Sequence, residues 1–345
     1  MQNRKNWLIT GGAGFIGGNF IHNLFNNHFD DIYSVVNYDS LTYASNPKFV
    51  DDLIKEKSNS SYYKFIKGDI CNKEFLMHTI LENNINVIVN FAAETHVCNS
   101  LLYPEAFMHS NVDGIFTILE ILKELKHKHN KIIRFHHIST DEVFGSLRLD
   151  ELPWTEESSY RPNSPYSATK ASADMLIRSY QKGFGIDYTI SYSSNNFGPN
   201  QHPEKLIPKT IKNFLEGLRV PIYGSGKMIR DWLFTQDNCE GILHIIKYGK
   251  LNETYCLSGN VNLNVNDIVK ITLRKTNELM KHDGFNDFNP NDYMYQIEDP
   301  RGLAQDIRYE MSCKKLNDLG FSTNFGYKKF ESDLEKTIQW YFNKC

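Results

Sequence analysis

The sequence of 345 residues predicts an α/β fold, with a doubly wound parallel sheet followed by a smaller mixed α/β C-terminal domain. Three observations support this prediction. Apolar runs of strand length alternate with helical stretches through the first half of the chain, a glycine-rich turn follows the first run, and the alternation ends near Asn200. Strands that are apolar almost throughout are typical of a parallel sheet covered by helices on both faces.

The individual elements follow from the spacing of apolar residues. Strands are predicted at Trp7–Thr10, Ile32–Tyr38, Tyr63–Ile66, Val87–Phe91, Ile132–Ile138 and Tyr188–Tyr192. Helices are predicted at Phe15–Phe25, Lys73–Glu82, Pro104–Leu125 and Ser164–Phe184.

Prolines mark the change of rhythm after Asn200, at Pro203, Pro208 and Pro221. Later in the chain, helices are predicted at Val265–Met280 and Phe330–Phe342, and the polar stretch Asp283–Asp292 is predicted to be an exposed loop. We expect one domain of residues 1–199 with a return segment of about 228–250, and a second domain of residues 200–227 and 251–345.

Composition excludes several classes of protein. A net charge of −3 gives no electrostatic attraction to nucleic acid or to membranes. The sequence has no apolar run long enough to span a bilayer, and its first residues lead directly into a strand pattern, which argues against a signal peptide. The six cysteines are scattered, without zinc-site spacing, so reduced thiols, a cytoplasmic location and no metal are expected.

Glycines dominate the turn after the first strand, where Gly11, Gly14 and Gly17 open the first helix. Glycine permits the tight turn and the close approach of a pyrophosphate to the helix N-terminus. Asp39, at the end of the second strand, is placed to accept a hydrogen bond from an adenine ribose and to repel a 2′-phosphate, which favours NAD over NADP. The alternative is an ordinary tight turn, with Asp39 as a turn residue or helix cap.

Two further motifs suggest acid–base chemistry. Tyr166 and Lys170 are four residues apart on a predicted helix and share a face, so the ammonium is expected to lower the pKa of the phenol. Thr140, Asp141 and Glu142 follow the fifth strand, at the sheet edge where ligands bind. The alternatives are a surface Tyr with a solvated Lys, and a helix N-cap followed by acidic first-turn residues.

Together these segments resemble the extended short-chain dehydrogenases/reductases and, within them, the dTDP-glucose 4,6-dehydratases. The resemblance runs almost end to end, and rests on these segments: TGGAGFIG, DSLTYASN, GDI, FAAETHV, HHISTDEVFG, SPYSATKASAD, SNNFGPNQHPEKLIP and PIYGSGKMIRDWL. The Thr-Asp-Glu triplet distinguishes this group from the sugar epimerases, which share the glycine turn and the Tyr-Lys pair.

The resemblance implies an internal redox cycle. Tyr166, assisted by Thr140 and Lys170, takes the proton from the sugar O4 while the C4 hydride passes to NAD. Glu142 then removes the C5 proton, Asp141 protonates the departing 6-hydroxyl, and the hydride returns to C6. An adjacent carboxyl pair can supply one acid and one base if their environments separate their pKa values.

The resemblance also assigns binding residues. Those implied for NAD are Gly11, Gly14, Phe15, Ile16, Gly17, Asp39, Leu41, Thr42, Asp69, Ile70, Ala92, Ala93, Ser110, Tyr166, Lys170 and Asn196. Those implied for the nucleotide sugar are Thr95, Thr140, Asn195, Lys205, Leu206, Pro221, Ile222, Tyr223, Arg230, Asn264 and Arg301. Each has an ordinary alternative: the aliphatic residues are usually core, and Arg230 could pair with Asp231 on the surface. A homodimer through the 104–125 and 164–184 helices is also implied.

The sequence departs from the family pattern at three places. Cys98 and Asn99 replace an Asp-Arg pair, Phe144 and Phe197 replace tyrosines, and the segment 299–309 is altered. A 4-epimerase or reductase acting on a nucleotide sugar, or a non-catalytic NAD-binding protein, stays open as an alternative function. dTDP-glucose and UDP-glucose are both possible substrates, because one methyl group contributes only about 1–3 kcal/mol to discrimination.

Overall fold

The computed structural model describes residues 4–280, 288–322 and 326–344. The strands, numbered β1 to β12 in chain order, are Lys5–Thr10, Ile32–Asp39, Tyr63–Lys67, Val87–Asn90, Arg134–Thr140, Thr189–Ser193, Asn195–Phe197, Val220–Tyr223, Ile229–Phe234, Glu253–Leu257, Asn262–Asn264 and Met294–Ile297. The α-helices, numbered α1 to α12, are Phe15–Asn27, Pro47–Glu56, Lys73–Glu82, Val97–Leu102, Pro104–Phe107, Gly114–His129, Pro165–Phe184, Leu206–Leu215, Thr235–Tyr248, Val265–Met280, Lys314–Asp318 and Gly326–Phe342.

A seven-stranded parallel sheet forms the main layer, in the order β3-β2-β1-β4-β5-β6-β10. Helices α3, α6 and α7 contribute to the core on one face, and α1, α2 and α9 to the core on the other. The strand order reverses between β1 and β4, and ligands bind at such a reversal, beyond the carboxyl ends of the strands. The predicted doubly wound α/β class is therefore confirmed.

A second, smaller core lies among α8, α10 and α12. It is accompanied by a three-stranded sheet, in which β9 lies between parallel β7 and antiparallel β11, and by the parallel pair β8 and β12. The division into two domains stays a prediction. β10 (Glu253–Leu257) joins the main sheet although it lies beyond the predicted return segment of about 228–250.

The element boundaries differ from the predicted ones where tertiary contacts decide them. The predicted helix 104–125 consists of α5, a π-helical segment at Met108–Asp113, and α6, which continues to His129. β5 begins at Arg134 rather than Ile132, because Ile132 is exposed, and it continues through the buried polar pair Ser139 and Thr140.

Two further expectations fall partly outside the described residues. Residues 283–287 of the loop predicted at Asp283–Asp292 lie outside them, and Pro290–Tyr293 forms a 3₁₀ turn. Cys345 also lies outside them, and no disulfide joins any of the five described cysteines. Within the described ranges, no helix is both long and apolar enough to cross a bilayer.

Candidate active site

The candidate site lies at the carboxyl edge of the main sheet, where β1, β2, β4, β5 and β6 end. A cavity of about 550 Å³ is lined there by the glycine turn, by the ends of these strands and by α7. A second cavity of about 250 Å³ lies between this edge and the smaller core formed by α8, α10 and α12. Thr95, Glu142, Asn195, Glu204 and Lys205 line both cavities, so the two meet at these residues.

The glycine turn is shaped by close backbone packing. A Cβ atom on Gly11 would lie 2.6 Å from the Ala92 nitrogen, and one on Gly17 would lie 2.4 Å from the Gly11 oxygen. Gly11 also has a φ of 70°, a backbone conformation that favours glycine. No side chain caps α1 at Gly14, and its first-turn residues Phe15, Ile16 and Gly17 line the cavity.

Asp39 is buried at the end of β2 and lines the larger cavity. Its carboxylate accepts hydrogen bonds from Ala13 N at 3.0 Å, Leu41 N at 2.8 Å and Ser45 Oγ at 3.0 Å. Asp39 therefore stabilises the turn, as the alternative interpretation expects, and it also lines the cavity.

The acidic triplet occupies the 3₁₀ turn that follows β5. The Thr140 hydroxyl donates to Asp141 Oδ1 at 3.1 Å and accepts from Glu142 N at 3.3 Å, so Thr140 is also the N-cap of this turn. Asp141 is 3% exposed, and its Oδ2 has no hydrogen-bond partner among the described residues.

The two carboxyl groups differ in electrostatic environment. Burial, followed by the neighbouring Glu142, raises the pKa of Asp141 well above its usual value. Burial raises the pKa of Glu142 to about 7, and the Arg230 guanidinium opposes this increase. Burial therefore favours the protonated form of both carboxyl groups, and the pKa of Glu142 lies near neutral pH.

Tyr166 and Lys170 lie on one face of α7 and both line the larger cavity. Burial and then the Glu142 carboxylate raise the pKa of Tyr166, whereas the Thr140 hydroxyl lowers it. The expectation that Lys170 lowers this pKa stays a prediction. The Lys170 ammonium donates to Ile138 O at 2.6 Å and lies 3.2 Å from His137 Nε2.

Arg230 lines the second cavity. It is 7% exposed, donates to Ile229 O at 2.7 Å and Asp306 O at 3.0 Å, and lies over the Tyr309 ring at 4.1 Å. The alternative of a surface pair with Asp231 is wrong, because Asp231 is fully buried and accepts instead from Val261 N at 2.9 Å.

The altered segment 299–309 contributes Arg301, Ala304 and Tyr309 to the second cavity. Arg301 pairs with Asp299 at 2.6 Å and lies over the Tyr223 ring at 5.8 Å. Cys98, one of the departures from the family pattern, lines the same cavity.

Most of the predicted site residues lie around these cavities. The larger cavity is lined by Gly11, Gly14, Phe15, Ile16, Gly17, Asp39, Thr42, Asp69, Ile70, Ala92, Ala93, Ser110, Thr140, Asp141, Glu142, Tyr166, Lys170 and Asn196. The second is lined by Thr95, Asn195, Lys205, Leu206, Pro221, Tyr223, Arg230 and Arg301.

Three predicted residues line neither cavity, namely Leu41, Ile222 and Asn264. Ile222 is 1% exposed and belongs to the smaller core, and Asn264 is hydrogen-bonded to Asp267. Their roles stay predictions.

Other lining residues carry no motif of their own in the sequence. They include Glu94, His96, Gln201, His202, Glu204, Met228, Trp232 and Tyr309. Glu94 lies in the segment FAAETHV and Glu204 in the segment SNNFGPNQHPEKLIP, both of which carry the family resemblance. Their position in these segments was the sequence signal that could have identified them as site residues.

A doubly wound sheet with this glycine turn, Tyr-Lys pair and carboxyl pair defines an extended short-chain dehydrogenase/reductase. A family model described as GDP-mannose 4,6 dehydratase matches residues 8–321. A dTDP-glucose 4,6-dehydratase of Mycobacterium tuberculosis is 40% identical over 336 residues, which cover 97% of this chain and 92% of the relative. The chain belongs to the dTDP-glucose 4,6-dehydratase family.

Two solved structures extend this similarity to three dimensions. The dTDP-glucose 4,6-dehydratase of Bacillus anthracis in complex with NAD is 36% identical, with a TM-score of 0.82 and coverage of 98% of this chain and 97% of that chain. The enzyme of Streptomyces venezuelae, with NAD and TYD bound, is 33% identical, with a TM-score of 0.86 and the same coverage.

Proposed function

We propose that this protein is an NAD-dependent dTDP-glucose 4,6-dehydratase that forms the 4-keto-6-deoxy nucleotide sugar. The observation that carries this proposal is the carboxyl pair: Asp141 and Glu142 line the larger cavity together with Tyr166, and burial raises the pKa of both carboxyl groups. The dTDP-glucose 4,6-dehydratases at 36–40% identity support the choice of nucleotide and sugar. A 4-epimerase would need no acid–base pair at C5 and C6.

The larger cavity fits NAD. The first-turn residues of α1 line it, and Asn196 Oδ1 is buried in its wall without a hydrogen-bond partner among the described residues. Asp39 would meet the adenine ribose and disfavour a 2′-phosphate. When bound, NAD supplies reversible hydride transfer at the sugar.

Tyr166 is assigned as the base at O4. Tyr166 must be a phenolate to accept that proton; burial raises its pKa, and the Thr140 hydroxyl opposes this increase. The phenolate is restored in each cycle when the proton from O4 passes through Thr140 to Asp141. Lys170 lines the same cavity as Tyr166 and contributes a positive charge to its wall.

Asp141 and Glu142 are assigned to the elimination. Glu142 lines both cavities, and a pKa of about 7 suits a base that removes the proton at C5. Asp141, whose protonated form is favoured by burial, is assigned to supply the proton that lets the 6-hydroxyl leave as water. Glu142 returns its proton to C5 at the end of the cycle.

Proton balance then requires a connection between Tyr166 and Asp141. Each turnover leaves Tyr166 with the proton from O4 and leaves Asp141 without the proton that entered water. The Thr140 hydroxyl donates to Asp141 Oδ1 at 3.1 Å and interacts with the phenol, so it is placed to pass the proton from one to the other. Thr140→Val should therefore slow turnover, and Thr140→Ser should restore it.

The second cavity is proposed to hold the nucleoside diphosphate. Lys205, Arg230 and Arg301 supply positive charge in its wall, and Tyr223 and Trp232 supply aromatic surface. Arginine and lysine are the usual partners of phosphate groups, and aromatic rings stack on bases. The assignment of Leu41, Ile222 and Asn264 to ligand contacts belongs to the same proposal.

We also propose a homodimer formed through α6 and α7 and a cytoplasmic location. Apolar side chains remain exposed on this side of the molecule, among them Leu102, Tyr103, Met108, Phe116 and Met175, which are each about half exposed or more. A second copy of the chain would cover them.

The test is incubation of the purified protein with dTDP-glucose, UDP-glucose and UDP-N-acetylglucosamine in parallel. We expect a 4-keto-6-deoxy product from dTDP-glucose without net formation of NADH. A hexose product would indicate an epimerase, and no product would indicate a non-catalytic NAD-binding protein. Tyr166→Phe is the matched variant, and should lower the rate by about 10²–10⁴-fold.

A further inference from the structure

Asp174 places a fully buried carboxyl group behind the candidate site. Tyr166, Lys170 and Asp174 follow one another at intervals of four residues on α7, so they share one face of the helix. Asp174 is 0% exposed and lines neither cavity. It is therefore near the catalytic helix face without contacting the space that ligands occupy.

We propose that Asp174 is the counter-charge that keeps the Lys170 ammonium ionised beneath the larger cavity, and so acts as a positioning residue for the Tyr166–Lys170 pair. This inference rests on the proposed function, because it gives Lys170 its role. It goes beyond that function because Asp174 touches neither substrate nor cofactor.

The hydrogen bonds of Asp174 engage only one of its two carboxylate oxygens. Oδ2 accepts from Ser139 Oγ at 2.7 Å and from the Tyr160 hydroxyl at 3.1 Å. Oδ1 has no hydrogen-bond partner among the described residues and lies 3.7 Å from His137 Nε2. The carboxylate is thus held from one side and presents its second oxygen to His137.

Lys170 lies close to the same imidazole nitrogen. Its Nζ lies 3.2 Å from His137 Nε2 and donates to Ile138 O at 2.6 Å. Burial, together with Lys170, lowers the pKa of His137 well below its usual value, so the ring is neutral. A neutral ring adds no charge beside the ammonium and the carboxylate, and the Asp174 charge acts on the pKa of Lys170.

The charges support a pair rather than two isolated ions. Burial lowers the pKa of Lys170 to about 8, and the Asp174 charge opposes this decrease. Burial raises the pKa of Asp174 to about 6, and Lys170 opposes that increase. Between these two values both groups are ionised, and each stabilises the other in a medium of low dielectric constant.

Other titratable groups surround the pair. Those packed around it are His137 on β5, Tyr160 in the preceding loop, Tyr192 on β6, Arg178 and Tyr166 on α7, and Asp141 and Glu142 in the 3₁₀ turn. Burial raises the pKa of each of these three tyrosines, so they stay neutral. Arg178 lowers the pKa of Asp174 and helps to keep it ionised.

A purely structural role is the alternative, since the bonds to Ser139 and Tyr160 also tie α7 to β5 and to the loop before it. A structural role predicts loss of stability only, whereas a counter-charge also sets the pH at which Lys170 loses its proton. The experiment therefore measures the protonation of Lys170 directly.

The test compares wild type with Asp174→Asn and with a matched control, Asp333→Asn. Asp333 is also buried, at 2% exposure, but pairs with Lys336 at 2.8 Å on α12. Competitive labelling of Lys170 by acetic anhydride across pH, read by peptide mass spectrometry, gives the pH of half-maximal labelling. Reduction of bound NAD in a single turnover with excess dTDP-glucose is followed over the same pH range.

We expect Asp174→Asn to lower the pH of half-maximal Lys170 labelling by about one unit, a tenfold change in the protonation equilibrium. The alkaline limb of NAD reduction should move in the same direction, while Asp333→Asn leaves both profiles unchanged. Unchanged profiles in folded Asp174→Asn would overturn the inference. If Asp174→Asn does not fold, Asp174→Ser removes the same charge with less bulk and carries the same expectation.

The two proposals fail separately. If wild type forms no product from dTDP-glucose, the proposed function is wrong, and the labelling profile still decides the role of Asp174. If wild type is active and Lys170 labelling is the same in all variants, only the role of Asp174 is wrong.

Discussion

Asp141 and Glu142 are neighbours in one 3₁₀ turn, yet the fold gives them different surroundings. Asp141 lines the larger cavity only, and burial and the adjacent Glu142 raise its pKa. Glu142 lies where the two cavities meet and interacts with the Arg230 guanidinium. One residue is thereby suited to donate a proton and the other to accept one, within a single turn of chain.

The two roles can be separated with a leaving group that needs less protonation. Asp141→Asn should be slow on dTDP-glucose and substantially rescued on the 6-fluoro analogue, because fluoride leaves with less need of an acid. Glu142→Gln should be slow on both substrates and should not exchange the C5 hydrogen with solvent. Rapid-quench product analysis measures both effects, each expected to be about 10²–10⁴-fold. Rescue of Glu142→Gln alone would reverse the assignments.

The raised pKa of Glu142 also predicts a dependence of stability on pH. The folded-state pKa is about 7 and the ordinary pKa of a glutamate is 4.5, so the native state binds more protons than the unfolded state between these values. Stability contributed by this group therefore falls as pH rises through that window. Glu142→Gln should raise the Tm relative to wild type at about pH 8, and much less at about pH 5.

Differential scanning calorimetry at both pH values is the measurement. Glu74→Gln on α3, a glutamate for which the sequence and structure give no part in the site, is the control. An equal Tm difference at the two pH values would contradict a raised pKa for Glu142.

At the scale of elements, the turn from β1 into α1 depends on glycine for space rather than for flexibility. A Cβ on Gly17 would lie 2.4 Å from Gly11 O and 3.0 Å from the Cα of Gly12. These contacts are with backbone, so a larger residue could be accommodated only by shifting the turn.

Gly17→Ala should therefore displace the cofactor-binding turn and weaken NAD binding by at least tenfold, as measured by calorimetric titration of cofactor-free protein. Gly183→Ala, on α7, is the matched substitution, because nothing lies within 4 Å of the position that a Cβ would take there. It should leave NAD affinity unchanged and stabilise the helix by about 0.5–1 kcal/mol. Equal NAD affinity in both variants would rule out the steric role of Gly17.

At the scale of the whole molecule, the packed pair α6 and α7 both supports the candidate site and presents an exposed apolar side. Lys170 and Asp174 face inward from α7, while Met175 on the same helix is 57% exposed and Phe116 on α6 is 49% exposed. Monomers rarely leave several such side chains uncovered together.

Phe116→Glu and Met175→Glu are each expected to convert the proposed dimer to a monomer, because both place a charge in an apolar interface. Leu152→Glu is the control: Leu152 is 85% exposed and lies on neither helix. Multi-angle light scattering gives the mass of each variant. A monomeric wild type, or dimers in all three variants, would contradict the proposed interface.

The sequence by itself determined the class of fold and most of the candidate site. Apolar strands alternating with helices, glycines at Gly11, Gly14 and Gly17, and Tyr166 four residues before Lys170 are local patterns, and local hydrogen bonding and periodicity act over such short distances. The Thr140–Glu142 triplet could be placed for the same reason, since it directly follows a predicted strand.

Only the tertiary structure decided how distant segments meet. β10 completes the main sheet from beyond the expected boundary, Glu204 and Tyr309 enter the cavity walls, and Ile222 packs into the smaller core. The contacts of Lys170 with Ile138 O and His137 were likewise decided by packing. Burial and long-range contacts set each pKa and each neighbour, and these depend on residues far apart in the chain, which spacing alone does not reveal.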